Sequence, residues 1–444
     1  MTSMLHPRVL LYLRQYRSGT IRLALALVCL AISSVPALAQ VRVNPKLAIV
    51  HSFGAFGDGA IPYGTLIRDA SGNIYGTTVS GGPSGGGTVF TIDSSGNETI
   101  LFSPTNNSQG LGFFAGVIRD ATGNLYGVNI IGGNLSCGGG TGCGVVFKLD
   151  SSGNYTVLHA FTGSGTGDGA SPFLAELVED STGNLYGTTI AGGVGNCQLI
   201  GADPGCGTVF KIDPAGTETI LYRFTGVNGD GGGPDSALII DSAGNLYGTT
   251  VAGGHTSGPC TQQGSTARGC GTVFKIDAAG QETVLYRFTG ANGDGMRPES
   301  PVTMDSNGNL YGSTILGGNP SFCPSNSGLG CGTIFKLNTA GDETVLHQFT
   351  GMEDGSEPYH VALIQDSAGN FYGTTNGHNF LGCGGTIFRL NPSGELASII
   401  DFTCDLAEPS YPTSGVIRDS IGDLYGVTDS GGAYNSGAVF KLVP

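Results

Sequence analysis

One eight-residue pattern, D-x-x-G-[ND]-[LIF]-Y-G, occurs seven times in the 444-residue chain, with its tyrosine at Tyr75, Tyr126, Tyr186, Tyr247, Tyr311, Tyr372 and Tyr425. Successive copies are 51, 60, 61, 64, 61 and 53 residues apart. Repetition at such a period requires stacked copies of one small unit, because a single copy cannot bury its own apolar face. A second anchor, Val or Ile followed by Phe, gives the same count at Phe90, Phe147, Phe210, Phe274, Phe335, Phe388 and Phe440.

Each unit parses into four short β segments, A to D. In the fourth unit these are Ala237 to Asp241, Leu246 to Val251, Gly271 to Asp277 and Glu282 to Phe288. Gly near the end of the A–B and C–D connections suits tight hairpins with a left-handed residue. Four antiparallel strands repeated seven times predict an all-β, seven-bladed β-propeller. Leu47 to Phe53 matches strand D rather than strand A, and the last unit runs only through strand C. The N-terminal strand is therefore expected to complete the last blade and close the ring, which also limits exposed sheet edges. The Tyr-Gly and Val-Phe aromatics are read as packing between blades, not as a ligand platform.

Composition agrees. With 79 glycines spread along the chain, long helices are disfavoured, since each interior helical Gly costs about 1 kcal/mol. Lys+Arg number 19 against 34 Asp+Glu, so a nucleic-acid partner is excluded on charge. Recurrent alternating apolar runs exclude a disordered chain.

Arg8, Arg14, Arg17 and Arg22 precede an apolar stretch from Leu23 to Ile32, followed by Ala37-Leu38-Ala39. This reads as a secretory signal peptide over residues 1–39, leaving a single propeller domain over 40–444. A membrane anchor is the competing reading, but the apolar core falls well short of the roughly 20 residues a span needs. The mature chain would carry a net charge of −19 and ten of the eleven cysteines. It is expected in the periplasm or outside the cell, as a monomer with no membrane span. Cys137 with Cys143, Cys197 with Cys206, Cys260 with Cys270, and Cys323 with Cys331 each share one B–C loop, so four local disulfides are expected. Zinc is disfavoured, because two thiolates without a paired His fall short of four ligands. Cys383 and Cys404, at opposite ends of the sixth C–D hairpin, are expected to form a fifth bridge.

Tight turns on one face and long B–C and D–A loops on the other collect the variable sequence around one channel mouth, where binding loops belong. The D–A loops carry D-G-x-x-P at Asp58, Asp168, Asp230, Asp294 and Asp354. These aspartates read as turn formers, since the closely spaced oxygens of a calcium loop are missing. Residues just after the prolines should begin the innermost strand and ring the mouth. They differ between units: Tyr63, Phe173, Asp235, Glu299, Tyr359 with His360, and Thr413, with Phe113 and Phe114 in the second unit. Tyr63, Phe173, Asp235, Glu299, Tyr359 and His360 are the candidate ligand-binding residues, a mixture of aromatic faces and carboxylates suited to a sugar or a peptide.

Hydrolase, phosphate-loop and dinucleotide motifs do not stand out, and no catalytic residue, cofactor or metal is assigned. His255, His360 and His378 fall in long loops near Glu299, Glu353 and Glu357 in chain order, which keeps acid–base chemistry in blades four to six open. The segments D-S-A-G-N-L-Y-G-T-T-V-A-G-G (Asp241 to Gly254) and G-C-G-T-V-F-K-I-D (Gly269 to Asp277) resemble the GloVer-type, or choice-of-anchor, tandem repeat of exported bacterial proteins. That resemblance spans essentially the whole mature chain and implies export, but it supplies no catalytic residues. Members often end in an anchoring tail, whereas this chain ends at Phe440 to Pro444 inside a repeat. The expected function is an exported binding module for a glycan or an extracytoplasmic protein. A hydrolase or lyase at the channel mouth and a structural envelope protein are the alternatives.

Overall fold

The repeated aspartate creates the tight turn from which each blade is built. In the first repeat, Asp69 Oδ1 accepts the Ser71 and Asn73 backbone N–H groups, both at 2.9 Å, while Oδ2 accepts from Asn73 Nδ2 at 2.9 Å and from the Tyr75 hydroxyl at 3.1 Å. The tyrosine-to-aspartate bond recurs in all seven repeats at 2.9–3.2 Å. The eight-residue pattern is thus a self-contained Asx turn whose acceptor capacity is filled locally. Burial acts to raise the Asp120 carboxyl, but hydrogen bonds from Asn124 and Thr122 outweigh it and hold it at about 2.

Glycine follows the tyrosine because an aromatic ring lies over it. Gly76 pairs with Phe90 across strands B and C, and an added Cβ would stand 2.6 Å from Phe90 Cζ. The same approach, 2.5–2.7 Å, occurs at Gly127, Gly187, Gly248, Gly312, Gly373 and Gly426. Six of the seven rings also meet a phenylalanine of the preceding blade. Phe53 and Phe90, Phe161 and Phe210, Phe224 and Phe274, Phe288 and Phe335, Phe349 and Phe388, and Phe402 and Phe440 have centroids 5.0–5.6 Å apart. These edge-on or tilted pairs are the packing between blades, so the anchor aromatics are structural.

The computed structural model describes residues 45–197, 199, 203–261, 269–323, 328–377, 384–403 and 408–444. The strands form seven antiparallel blades around a ring. Blade four, for example, runs Ile239–Ile240, Leu246–Thr250, Thr272–Ile276 and Glu282–Arg287. Each outer-strand pairing carries a bulge, as between Val209 and Phe210 where they pair with Tyr222 and Ile220. In the seventh blade the outer strand is Lys46–Ser52, paired antiparallel with Ala438–Val443 from Lys46↔Val443 to Ser52↔Ala438. The N-terminal strand closes the ring as expected.

The four B–C loop disulfides, Cys137–Cys143, Cys197–Cys206, Cys260–Cys270 and Cys323–Cys331, are present. Cys383 and Cys404 lie outside the described residues. Among the described residues no helix is long and apolar enough to cross a membrane.

Candidate functional site

The D–A and B–C loops share one face: Gly169–Ala170 of one pairs with Ala191–Gly192 of the other, and the same contact recurs in blades four and five. The D-G aspartate ties this face together. Asp168 accepts from Thr162 N–H at 2.7 Å, Thr162 Oγ1 at 2.9 Å and Gly169 N–H at 2.6 Å, with His159 Nε2 at 3.2 Å. These carboxylates point into the joints between blades.

One expectation needs correction. The residues after the prolines do not begin a regular innermost strand, which in blades two to seven is only two residues long, as in Thr303–Met304. The residue before proline is left-handed at Ile61, Ser171, Arg297, Glu357 and Tyr411, with φ of +54° to +59°, and so is His360 at +51°. Such a φ breaks the strand ladder and costs side-chain-bearing residues about 1–3 kcal/mol each. The interruption turns the flanking side chains toward the axis. Of the six candidates only Tyr63 sits in a strand, Gly59–Arg68.

All six nevertheless converge. An arc of rings runs from Tyr63 to Phe114 at 5.5 Å, to Phe173 at 5.1 Å, to His360 at 6.3 Å, and to Tyr359 at 3.8 Å from the His360 centroid. Against it lie Asp235 and Glu299, entering blades four and five. Asp235, Glu299 and His360 each bring a ligand-capable atom within 4.8 Å of the others. They are 5%, 2% and 7% exposed, respectively. Arg297 forms an ion pair with Glu299 Oε1, while Oε2 lies 3.9 Å from His360 Nε2. Asp235 Oδ1 and His360 Nε2 have no hydrogen-bond partner.

Burial sets the protonation here. It pushes the Asp235 carboxyl well above the usual carboxylate range, and the charge of Glu299 pushes the same way. Burial also raises Glu299, against the pull of Arg297, and lowers His360 to about 3, so the imidazole is neutral at ordinary pH. Tyr63 and Tyr359 are raised by burial and by the surrounding carboxylates, and remain phenols. Below the mouth the channel narrows to a cavity of about 20 Å³ edged by Glu176, His360 and Ser414, room for roughly one water. Glu176 Oε1 caps two neighbouring blades by accepting from Thr65 N–H at 2.5 Å and Gly116 N–H at 3.3 Å.

Other loop residues are used differently. Phe113 is fully buried and meets Phe147 at 5.6 Å, filling the joint where Pro104 stands in place of the usual phenylalanine. Thr413 is buried and donates to the Pro62 carbonyl at 3.2 Å, joining blades seven and one. His255 bonds Ser257 at 3.0 Å, Glu353 is exposed, and His378 lies outside the described residues. Arg297 and Glu176 escape the sequence reading. The position before each proline varies as much as those after it, and that variation was the signal available for Arg297.

The family model for the Gloeobacter/Verrucomicrobia repeat matches residues 38–200, 138–328 and 258–444. The chain belongs to this family. No curated protein sequence matches this Gloeobacter/Verrucomicrobia repeat protein. Among solved structures it is similar to an extracellular domain described as that of a one-component system of B. thetaiotaomicron, at 10% identity and a TM-score of 0.51. That alignment covers 89% of this chain and 39% of the other, so the repeat protein spans well under half of that neighbour. A gluconolactonase from Xanthomonas campestris aligns at 12% identity and a TM-score of 0.40, covering 90% of this chain and 89% of the other. At these identities the likeness concerns the fold alone.

Proposed function

We propose that the chain is an exported propeller binding module that captures the end of a glycan at its long-loop channel mouth. The carrying observation is the convergence of Tyr63, Phe114, Phe173 and Tyr359 on Asp235 and Glu299, drawn from six blades. Aromatic faces stack on the C–H face of a sugar, and carboxyls fix its hydroxyls, so the pairing of the two suits a polyhydroxylated ligand. A narrow channel below favours a chain end over a threaded polymer. Export is supported by the basic, apolar and A-x-A leader over residues 1–39 and by the four disulfides, which persist in an oxidising compartment.

Calorimetric titration with a panel of oligosaccharides tests this. A member of the panel should bind the wild-type protein, and Tyr63→Ala with Phe173→Ala should weaken it by about tenfold or more, the loss of a stacked ring. Binding unchanged by the pair, or absent across the panel, overturns the reading. A hydrolase reading is favoured by one observation, the approach of a carboxyl, a carboxylate and a neutral imidazole from three blades. It predicts new reducing ends from the bound oligosaccharide, abolished in Asp235→Asn.

A further inference from the structure

Among the described residues, four groups bring three His, Cys, Asp or Glu ligand atoms together: Cys137, Cys143 and Asp203; His51, Asp58 and Glu98; His159, Asp168 and Glu218; and Asp235, Glu299 and His360. In three of them the ligand capacity is wholly or largely spent within the fold. Cys137 and Cys143 are bonded to each other. His51 and His159 each give Nε2 to an aspartate at 3.2 Å, and Asp58 and Asp168 also accept backbone N–H groups at 2.6 Å. Glu98 and Glu218 each keep one unpartnered oxygen, but only the channel group leaves both an imidazole nitrogen and a carboxylate oxygen unpartnered.

In that group Asp235 Oδ1 and His360 Nε2 are unpartnered although 95% and 93% of each residue is buried, from exposures of 5% and 7%. Leaving such atoms bare in a protein interior is costly, so a partner is expected. Arg297 occupies Glu299 Oε1 and leaves Oε2 facing His360 at 3.9 Å. We infer that Asp235, Glu299 and His360 form a site for one divalent transition-metal ion, zinc or manganese, at the floor of the channel mouth.

Ligands about 2.0–2.2 Å from a shared tetrahedral ion stand about 3.3–3.6 Å apart. His360 Nε2 and Glu299 Oε2, at 3.9 Å, need a few tenths of an ångström of closure, and no separation in the group, all within 4.8 Å, needs more than about 1.5 Å. The imidazole nitrogen selects against calcium and magnesium, which take oxygen ligands, while two carboxylates suit zinc and manganese. Arg297 orients Glu299 from outside, as residues behind a metal ligand commonly do. Three protein ligands leave room for water or a bound group.

The site shares its floor with the glycan reading but does not depend on it. Full-length protein with the tag removed is stripped with chelator, then titrated with ZnCl2, MnCl2 and CaCl2 in the absence of sugar. One zinc or manganese per chain is expected, with calcium at least about 100-fold weaker. Asp235→Asn and His360→Ala should each weaken the preferred ion by about 100-fold, while His255→Ala, at an exposed histidine, leaves it unchanged. Should either variant fail to fold, anomalous diffraction from wild-type crystals soaked in manganese or zinc locates the ion directly. Binding that survives both channel substitutions, a calcium preference, or anomalous density elsewhere or nowhere overturns the site. Oligosaccharide titration run in parallel separates the two ideas: a protein that binds sugar but no metal sinks the ion alone, and one that binds metal but no sugar sinks the glycan alone.

Discussion

The aspartates of the A–B turns and Asp235 at the channel mouth are the same side chain put to opposite use. Asp241 receives Ala243 N–H and Asn245 N–H at 2.9 Å, Asn245 Nδ2 at 2.7 Å and the Tyr247 hydroxyl at 3.0 Å, and its carboxyl is lowered because those bonds outweigh burial. Six residues before it in the same blade, Asp235 is buried, carries an unpartnered oxygen, and is raised. The first arrangement repeats seven times because a β-hairpin needs it, whereas among the described aspartates only Asp235 is both raised and left with an unpartnered oxygen. Saturated groups hold the ring, and unsaturated ones are free to meet something else.

If that division is right, the largest losses come from the repeated face. Phe274→Ala removes a ring that is fully buried, covers Gly248 and meets Phe224 at 5.0 Å, and should cost about 3–5 kcal/mol in equilibrium denaturation. Gly248→Ala drives a methyl to 2.7 Å from Phe274 Cζ and should cost about 1–3 kcal/mol. Asp241→Ala strips the turn of its acceptor for about 1–2 kcal/mol. Loss of stability from Phe173→Ala as large as that from Phe274→Ala would break the comparison.

The joints between blades form an intermediate class. Glu98, Glu218, Glu282 and Glu343 begin outer strands beside the D-G aspartate of the same joint, and each has a buried oxygen without a partner. Burial first, and the neighbouring Asp58, Asp168, Asp230 or Asp294 second, raise each of these carboxyls to about 7. A carboxyl raised on folding binds its proton more tightly in the folded state. Its stabilisation is therefore complete below the unfolded value of about 4.5 and is lost as pH climbs through about 7. The melting temperature should fall between pH 5 and 8, and the fourfold Glu→Gln variant should flatten that slope. An unchanged slope would show that the joints relax or hydrate when ionised. Where Tyr155 replaces the glutamate, it stacks on Phe102 at 3.9 Å, so this joint should contribute nothing to the slope.

The same division explains what the sequence reveals. Blade number, ring closure and the B–C disulfides rest on local patterns repeated along the chain, and all are legible. The six mouth residues are legible as a set, because they are the variable positions on a uniform scaffold. Their convergence is not, since Asp235, Glu299 and His360 are about 60 residues apart and meet only through the curvature of the ring. Nor does the sequence separate Phe113 from its neighbour Phe114, one packed in a joint and the other in the aromatic arc, because Pro104 must first vacate the joint. The left-handed residues before proline run against the usual preference for extended backbone there, and only the tertiary loop enforces them.

The smallest expected effect is the most discriminating. Asp235→Asn keeps shape and volume while removing a buried carboxyl that no hydrogen bond repays at Oδ1. Without added metal or sugar it should leave stability unchanged within about 0.5 kcal/mol or raise it, as replacing a strained functional group commonly does. Asp241→Asn, the same substitution in the turn, should destabilise, because an amide oxygen accepts more weakly and its N–H₂ opposes the Asn245 and Tyr247 donors. Measured side by side by urea denaturation, the two variants differ in sign only if the mouth carboxyl serves something other than the fold. Equal destabilisation would return Asp235 to the scaffold.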